Sequence, residues 1–250
     1  MIDPETQLAV GSALVAASAG FASCATFIPG SRIWGPIISH GTADDPPRVA
    51  LTFDDGPTAG GTDRILDLLA ESNVKATFFV IGANVERAPE LLRRIHHEGH
   101  LIGNHTFDHS RWCTTGLTKY WRRQIDKTDA AIQRVIGIRP LFFRPPIGHK
   151  TPHTISAART HGHAIVNWSV RAWDGIPTTP EKIIAHVVPR CRRGSIVVLH
   201  DGVEPGRVRD PWATIAAVKG LVTSLRNRGL EPVRLDELTG LIPYCTTGIS

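Results

Sequence analysis

From Arg48 onward the chain alternates short apolar, β-branched runs with amphipathic stretches, and this alternation restricts the fold more than any other feature. Strand candidates lie at 49–53, 76–81, 101–103, 141–143, 164–168, 196–199 and 232–235. Between them the sequence predicts helices over 62–72, 88–98, 118–136, 151–161, 179–191 and 210–228, with Thr118, Thr179 and Asp210 as caps and Gly137 and Gly229 as stops. Repeated β-then-α units imply a parallel sheet covered by helices. An open doubly wound sheet and a barrel both satisfy that pattern. The polar motifs favour the barrel. "DDGP", "NHTFDH", "RPPIGH", "SVRAWDG" and "HDG" each follow a strand, and in a barrel such loops converge on the face at the strand C-termini.

Composition removes several function classes. With 42% hydrophobic and 20% charged residues over 250 positions, the chain has the make-up of a folded domain, not of a disordered one. Its net charge of +5 is spread without a dense Lys/Arg run or aromatic–basic interleaving, which argues against a nucleic-acid partner. Cys24, Cys113, Cys191 and Cys245 form no CxxC pair, so free thiols are expected rather than a zinc ribbon or a disulfide framework.

Leu8 to Ile28 contains no charged residue and suits one membrane span in length, although it is rich in Ala, Gly and Ser. No Lys or Arg precedes it, unlike a signal peptide. A membrane anchor, a remnant of an export signal and a helix packed on the domain are the three readings, in that order. The expected organisation is an N-terminal apolar segment and linker (1–45), one catalytic domain (46–240) entered at Pro46-Pro47, and a C-terminal tail (241–250). An anchor would place the chain at the cell envelope, outside the cytoplasm. The sequence is silent on oligomeric state.

"RVALTFDDGP" sets two aspartates, Asp54 and Asp55, at the end of a buried strand and breaks the chain at once. His105 and His109, four apart in "HTFDH", present two imidazoles to one ion if the segment turns helically. No glutamate lies between them, so a third ligand and a base must come from elsewhere. The two aspartates can supply both, one as ligand and one as proton acceptor. His200, after "SIVVL", ends a strand on the same face and can protonate a leaving group. Arg144 can hold an aspartate through a bidentate pair. Pro145 and Pro146 fix the backbone that follows, whose N–H can stabilise an oxyanion.

With these residues in view, the chain resembles the polysaccharide deacetylases of the NodB-homology type, carbohydrate esterase family 4, over about Arg48 to Leu238. "TFDDGP" and "HTFDH" are the specific motifs, joined in order by "FRPP", the "WSVRAWDG" stretch and "VLHDG". The resemblance implies an α/β fold, a distorted (β/α)7 barrel, here preceded by the apolar, helical N-terminal segment. It implies Asp54 as base, and Asp55, His105 and His109 as ligands of a divalent metal, zinc foremost, with cobalt or another divalent ion as substitutes. Arg144 would orient Asp54, the Ile147 N–H after Pro146 would hold the oxyanion, and His200, supported by Asp174, would be the acid. Leu199 would line the acetyl-methyl pocket.

The chain departs from the family pattern at Ile147, usually aromatic, at Arg171, usually aspartate, and at Gly175, usually tryptophan. Trp173 and Trp112 are candidate replacement walls for sugar rings. The implied activity is removal of N-acetyl groups from an aminosugar polymer, peptidoglycan first and chitin-like chains second. An O-acetyl esterase on xylan, or a small-amide hydrolase, shares the chemistry. A carbohydrate-binding protein without catalysis is a third class.

Overall fold

The structure, a computed structural model, describes residues 12–13, 20–42, 47–208 and 210–245. The main sheet is built from β1 (Arg48–Asp54), β2 (Thr77–Val80), β3 (Leu101–Asn104), β5 (Phe142–Phe143), β6 (Ala164–Ile165), β7 (Val170–Arg171), β8 (Ile196–His200) and β9 (Glu231–Val233). Its order is β6-β5-β3-β2-β1-β8-β7, with β9 beside β1. Each of its pairings is parallel. The sheet is wrapped by α1 (Thr62–Glu71), α2 (Gly82–Arg87), α3 (Pro89–His97), α4 (Thr118–Ile136), α5 (Pro152–Thr160), α6 (Pro180–Arg190), α7 (Trp212–Asn227) and α8 (Leu235–Thr239). The result is the curled, barrel-type α/β sheet that the alternation and the convergent loops predict.

Period-2 alternation in β1 decides where the chemistry points. Val49, Leu51 and Phe53 enter the outer core with Ile65, Leu66 and Leu69 of α1, whereas Ala50 enters the inner core. Thr52 and Asp54 continue the inner face. β8 follows the same rule: Val197 and Leu199 pack outward, and Ile196 and Val198 pack inward.

Three features depart from the expected segments. The two-residue β7 is absent from the strand candidates, and it carries Arg171. Residues assigned to the leading segment are part of the barrel. Ile38 bridges Val166 and His40 bridges Ser195, filling the side where the ladder does not run from β6 to β7. Helical residues 20–27 lead into this strap, and Lys150 Nζ and Asn167 Nδ2 donate to the carbonyls of Ile28 and Pro29 at 2.6 and 2.7 Å. Finally, the tail supplies β10 (Tyr244–Cys245), antiparallel to β4 (Arg139–Pro140).

Local signals are partly redistributed. Gly137 ends α4 at φ 76, as expected, but Leu117 and not Thr118 occupies the capping position. Thr179 caps α6 by accepting from the Lys182 N–H. Most of the apolar stretch 8–28 lies outside the described residues, and among the described ones no helix is long and apolar enough to cross a membrane. All four cysteines are free thiols.

Candidate active site

β1 and β8 run in register with Asp54 opposite His200, so two adjacent strands deliver an inward side chain at the same C-terminal edge. Arg144, directly after β5, is fully buried. Its Nη1 donates to Asp54 Oδ1 and to Thr52 Oγ1, each at 2.7 Å, and its guanidinium lies 4.0 Å from the Phe79 ring centroid. Nη2 donates to the Asn167 carbonyl at 3.4 Å, so the grip on Asp54 is single and not the bidentate one expected. Burial raises the Asp54 pKa above the usual carboxylate range, with the Arg144 charge opposing it. A base poised upward in this way is better matched to a proton released near neutrality.

Asp55 leaves the strand at φ 77, so its carboxylate is set apart from that of Asp54. Its Oδ1 lies 3.5 Å from His105 Nε2 and 3.4 Å from His109 Nε2. The three ligand atoms fall within 4.8 Å of one another, and all three residues are buried. Asp55 Oδ1 and His109 Nδ1 are buried without a hydrogen-bond partner among the described residues. An unpartnered buried carboxylate oxygen costs free energy unless a cation satisfies it. His105 Nδ1–H donates to the Arg144 carbonyl at 2.7 Å, which turns the Nε2 lone pair toward Asp55. Burial, and then the His109 charge, push the His105 pKa down to about 3, leaving it in the neutral form a ligand needs. The set fits a divalent ion with free coordination positions. Cys113 stands apart from it, its thiol pushed up to about 12 chiefly by burial.

Asp174 holds His200 at two points. Its Oδ1 accepts from Nδ1–H and its Oδ2 from the backbone N–H, both at 2.8 Å, and Thr214 Oγ1 donates to Oδ2 at 2.8 Å. Burial works against the imidazolium. The Asp174 charge and hydrogen bond outweigh it, with Asp55 and Asp54 behind them, and hold His200 at about 9. The imidazole is therefore charged at neutral pH, with Nε2 free as a proton donor.

Glycines lock the two carrier loops together. A Cβ at Gly56 would meet Asp201 Oδ2 at 2.1 Å, and one at Gly202 would meet the Asp55 carbonyl at 2.5 Å. Asp201 instead accepts from the Gly56 N–H at 3.1 Å and from Thr62 Oγ1 at 2.5 Å. Non-glycine residues at positive φ concentrate here too: Asp55, Thr106, His109, Ile147 and Trp173. Strain of about 1–3 kcal/mol at each is the kind that functional loops carry.

The cleft encloses about 190 Å³ and is lined by Asp54, Asp55, His105, His109, Ile147, His200, Arg111, Trp168, Arg171, Trp173, Gly175, Ile176, Val198 and Glu204. Ile147 sits at φ 58, and no backbone hydrogen bond takes its N–H among the described residues. Pro146 is buried behind it. Leu199 is not in the lining. It points into the outer core, and its neighbour Val198 faces the cleft, because adjacent strand residues take opposite faces. Trp112 also lies outside the lining, 80% exposed, whereas Trp173 is part of it. Sequence reasoning missed Trp168, Val198, Arg111 and Glu204. Trp168 was the legible one, being the aromatic that leads into β7.

A family model for polysaccharide deacetylase matches residues 41–166. The chain belongs to the polysaccharide deacetylase family. Over 191 residues it is 36% identical to a peptidoglycan-N-acetylglucosamine deacetylase of Bacillus cereus, covering 76% of this chain and 68% of that one. It is 35% identical over 188 residues to a chitooligosaccharide deacetylase of Sinorhizobium fredii, covering 73% and 87% respectively. A longer Listeria monocytogenes relative is matched over 39% of its length. Among solved structures, a peptidoglycan N-acetylglucosamine deacetylase in complex with 4-naphthalen-1-yl-N-oxidanyl-benzamide is similar at TM-score 0.77 and 33% identity, covering 83% of this chain and 94% of that one. The barrel is thus the fold of carbohydrate esterase family 4, and the chain is an enzyme of that family, a polysaccharide deacetylase.

Proposed function

We infer that the chain hydrolyses the acetamide of N-acetylglucosamine units in a polysaccharide, peptidoglycan first and chitin-like chains second, releasing acetate and a free amine. The observation that carries this reading is the Asp54–His200 pair. An anionic base and a protonated acid face one cleft from adjacent strands, each fixed by its own partner, Arg144 and Asp174. A protein that only binds sugar has no use for such a pair.

Asp55, His105 and His109 would hold the divalent ion, zinc by donor type. When bound, that ion supplies Lewis-acid polarisation of the acetyl carbonyl and of the attacking water. Asp54 takes a proton from the water as its oxygen attacks the carbonyl carbon. The Ile147 N–H is placed to donate to the developing oxyanion. Breaking the C–N bond needs a proton on nitrogen, which His200 Nε2 gives while Nδ1 keeps its bond to Asp174. Val198 and Trp168 wall the space for the acetyl methyl group. The small cleft takes the acetamide, and the sugar chain crosses its rim, where Trp173 offers a half-exposed ring. A cell-wall substrate fits an extracytoplasmic location.

Acetate release from N-acetylglucosamine oligomers, peptidoglycan and acetylated xylan tests the reading. Release from the amides well above that from xylan supports it. Release from xylan alone would transfer the site to O-acetyl esters.

A further inference from the structure

The roles assigned above leave one charged side chain of the cleft without a task. Arg171 ends β7, half-buried, paired in register with Val198 of β8. Its guanidinium lies 4.4 Å from the Trp173 ring centroid and 6.0 Å from that of Trp168. Trp173 reaches this position at φ 59, a conformation bulky residues avoid. The other arginines of the site are engaged: Arg111 gives Nε and Nη2 to Glu204 at 2.8 and 2.6 Å, and Arg144 holds Asp54. No carboxylate pairs with Arg171 among the described residues. On its far side stands His149, lowered by burial and then by the charges of Lys150 and Arg171, so the neighbouring groups add no anion. An arginine stacked on indole rings has its plane fixed and its N–H edge open, which is the form that recognises a carboxylate by two parallel hydrogen bonds.

We propose that Arg171 is a specificity-determining residue that binds a carboxylate of the glycan, so that the cleft selects an acidic aminosugar chain over a neutral one. The carboxylate belongs to the reacting sugar or to the one next to it, as in a glycan whose alternate sugars bear an ether-linked carboxylic acid. This rests on the deacetylase reading and narrows its substrate.

The test uses peptide-free peptidoglycan glycan strands, the same strands with their carboxyl groups reduced to alcohols, and neutral N-acetylglucosamine oligomers. Wild type should prefer the native strands over the reduced ones by about tenfold in kcat/KM, the scale of a hydrogen bond to a charged group. Added salt should shrink that preference. R171Q should erase it, and R171K, which keeps the charge without the fork, should retain part. Equal rates of wild type on native and reduced strands, or a preference that survives in R171Q, would overturn the proposal. The neutral oligomers report the deacetylase reading separately. If wild type releases acetate from no glycan, that reading falls, and calorimetric binding of native against reduced strands still decides the role of Arg171.

Discussion

Two adjacent aspartates can do different work because the backbone turns between them. Asp54 is the last inward residue of β1 and meets Arg144, whereas Asp55 at φ 77 faces His105 and His109. His200 owes its charge to one neighbour, which gives a pH prediction. Its folded value of about 9 stands above the ordinary 6.5. The stabilisation from the Asp174 pair is therefore complete below about pH 6.5 and is lost as pH rises through about 9. The acid role follows the same limb, so kcat should fall as pH passes about 9. Asp174→Asn should carry the alkaline limb down toward 6.5, as read from the pH dependence of kcat; an unmoved limb would separate His200 from Asp174. The residues that do chemistry were legible because their types are costly in a strand or loop without a task. Val198 and Leu199 were not. In "SIVVLH" both strand faces are buried, so hydrophobicity does not mark which one looks into the cleft. Leu199→Ala should cost about 2–5 kcal/mol of stability while leaving kcat of the folded enzyme near normal. Val198→Phe should fill the cleft and depress kcat/KM with a smaller loss of stability. Denaturant titration and steady-state rates on both variants check this, and the reverse pattern would restore Leu199 to the acetyl pocket.

At the scale of elements, the loops after β1 and β8 behave as one piece. Asp201 occupies the space a side chain at position 56 would need, and it ties the Gly56 N–H to Thr62 at the start of α1. Gly56→Ala should destabilise by about 1–3 kcal/mol, the scale of overpacking, and displace Asp55 with it. Lower melting temperature together with weaker zinc binding is the expected pair of results, and full zinc affinity would uncouple the two loops. The long strands and amphipathic helices were readable from periodicity. β7 was not, because two residues hold no period, and β4 and β10 were not, because their partners are about a hundred residues apart. The expected cap at Thr118 shifted by one residue, which is the ordinary uncertainty of a helix start.

For the whole molecule, alternating strands and helices sufficed to indicate a barrel-type sheet, and the loop motifs indicated which end carries the site. The strap at 38–41 stayed hidden, since isolated bridges to Val166 and Ser195 leave no pattern in sequence. The account as a whole turns on the division of labour between Asp54 and Asp55 in one cleft. The measurement that tests it is acetate release from N-acetylglucosamine oligomers by zinc-loaded wild type, Asp54→Asn and Asp55→Asn, with bound zinc quantified in the same samples. Asp54→Asn should keep its zinc and lose about 10²–10⁴-fold in rate, while Asp55→Asn should lose zinc and rate together. Near-normal turnover by Asp54→Asn, or zinc lost from Asp54→Asn and kept by Asp55→Asn, would contradict it.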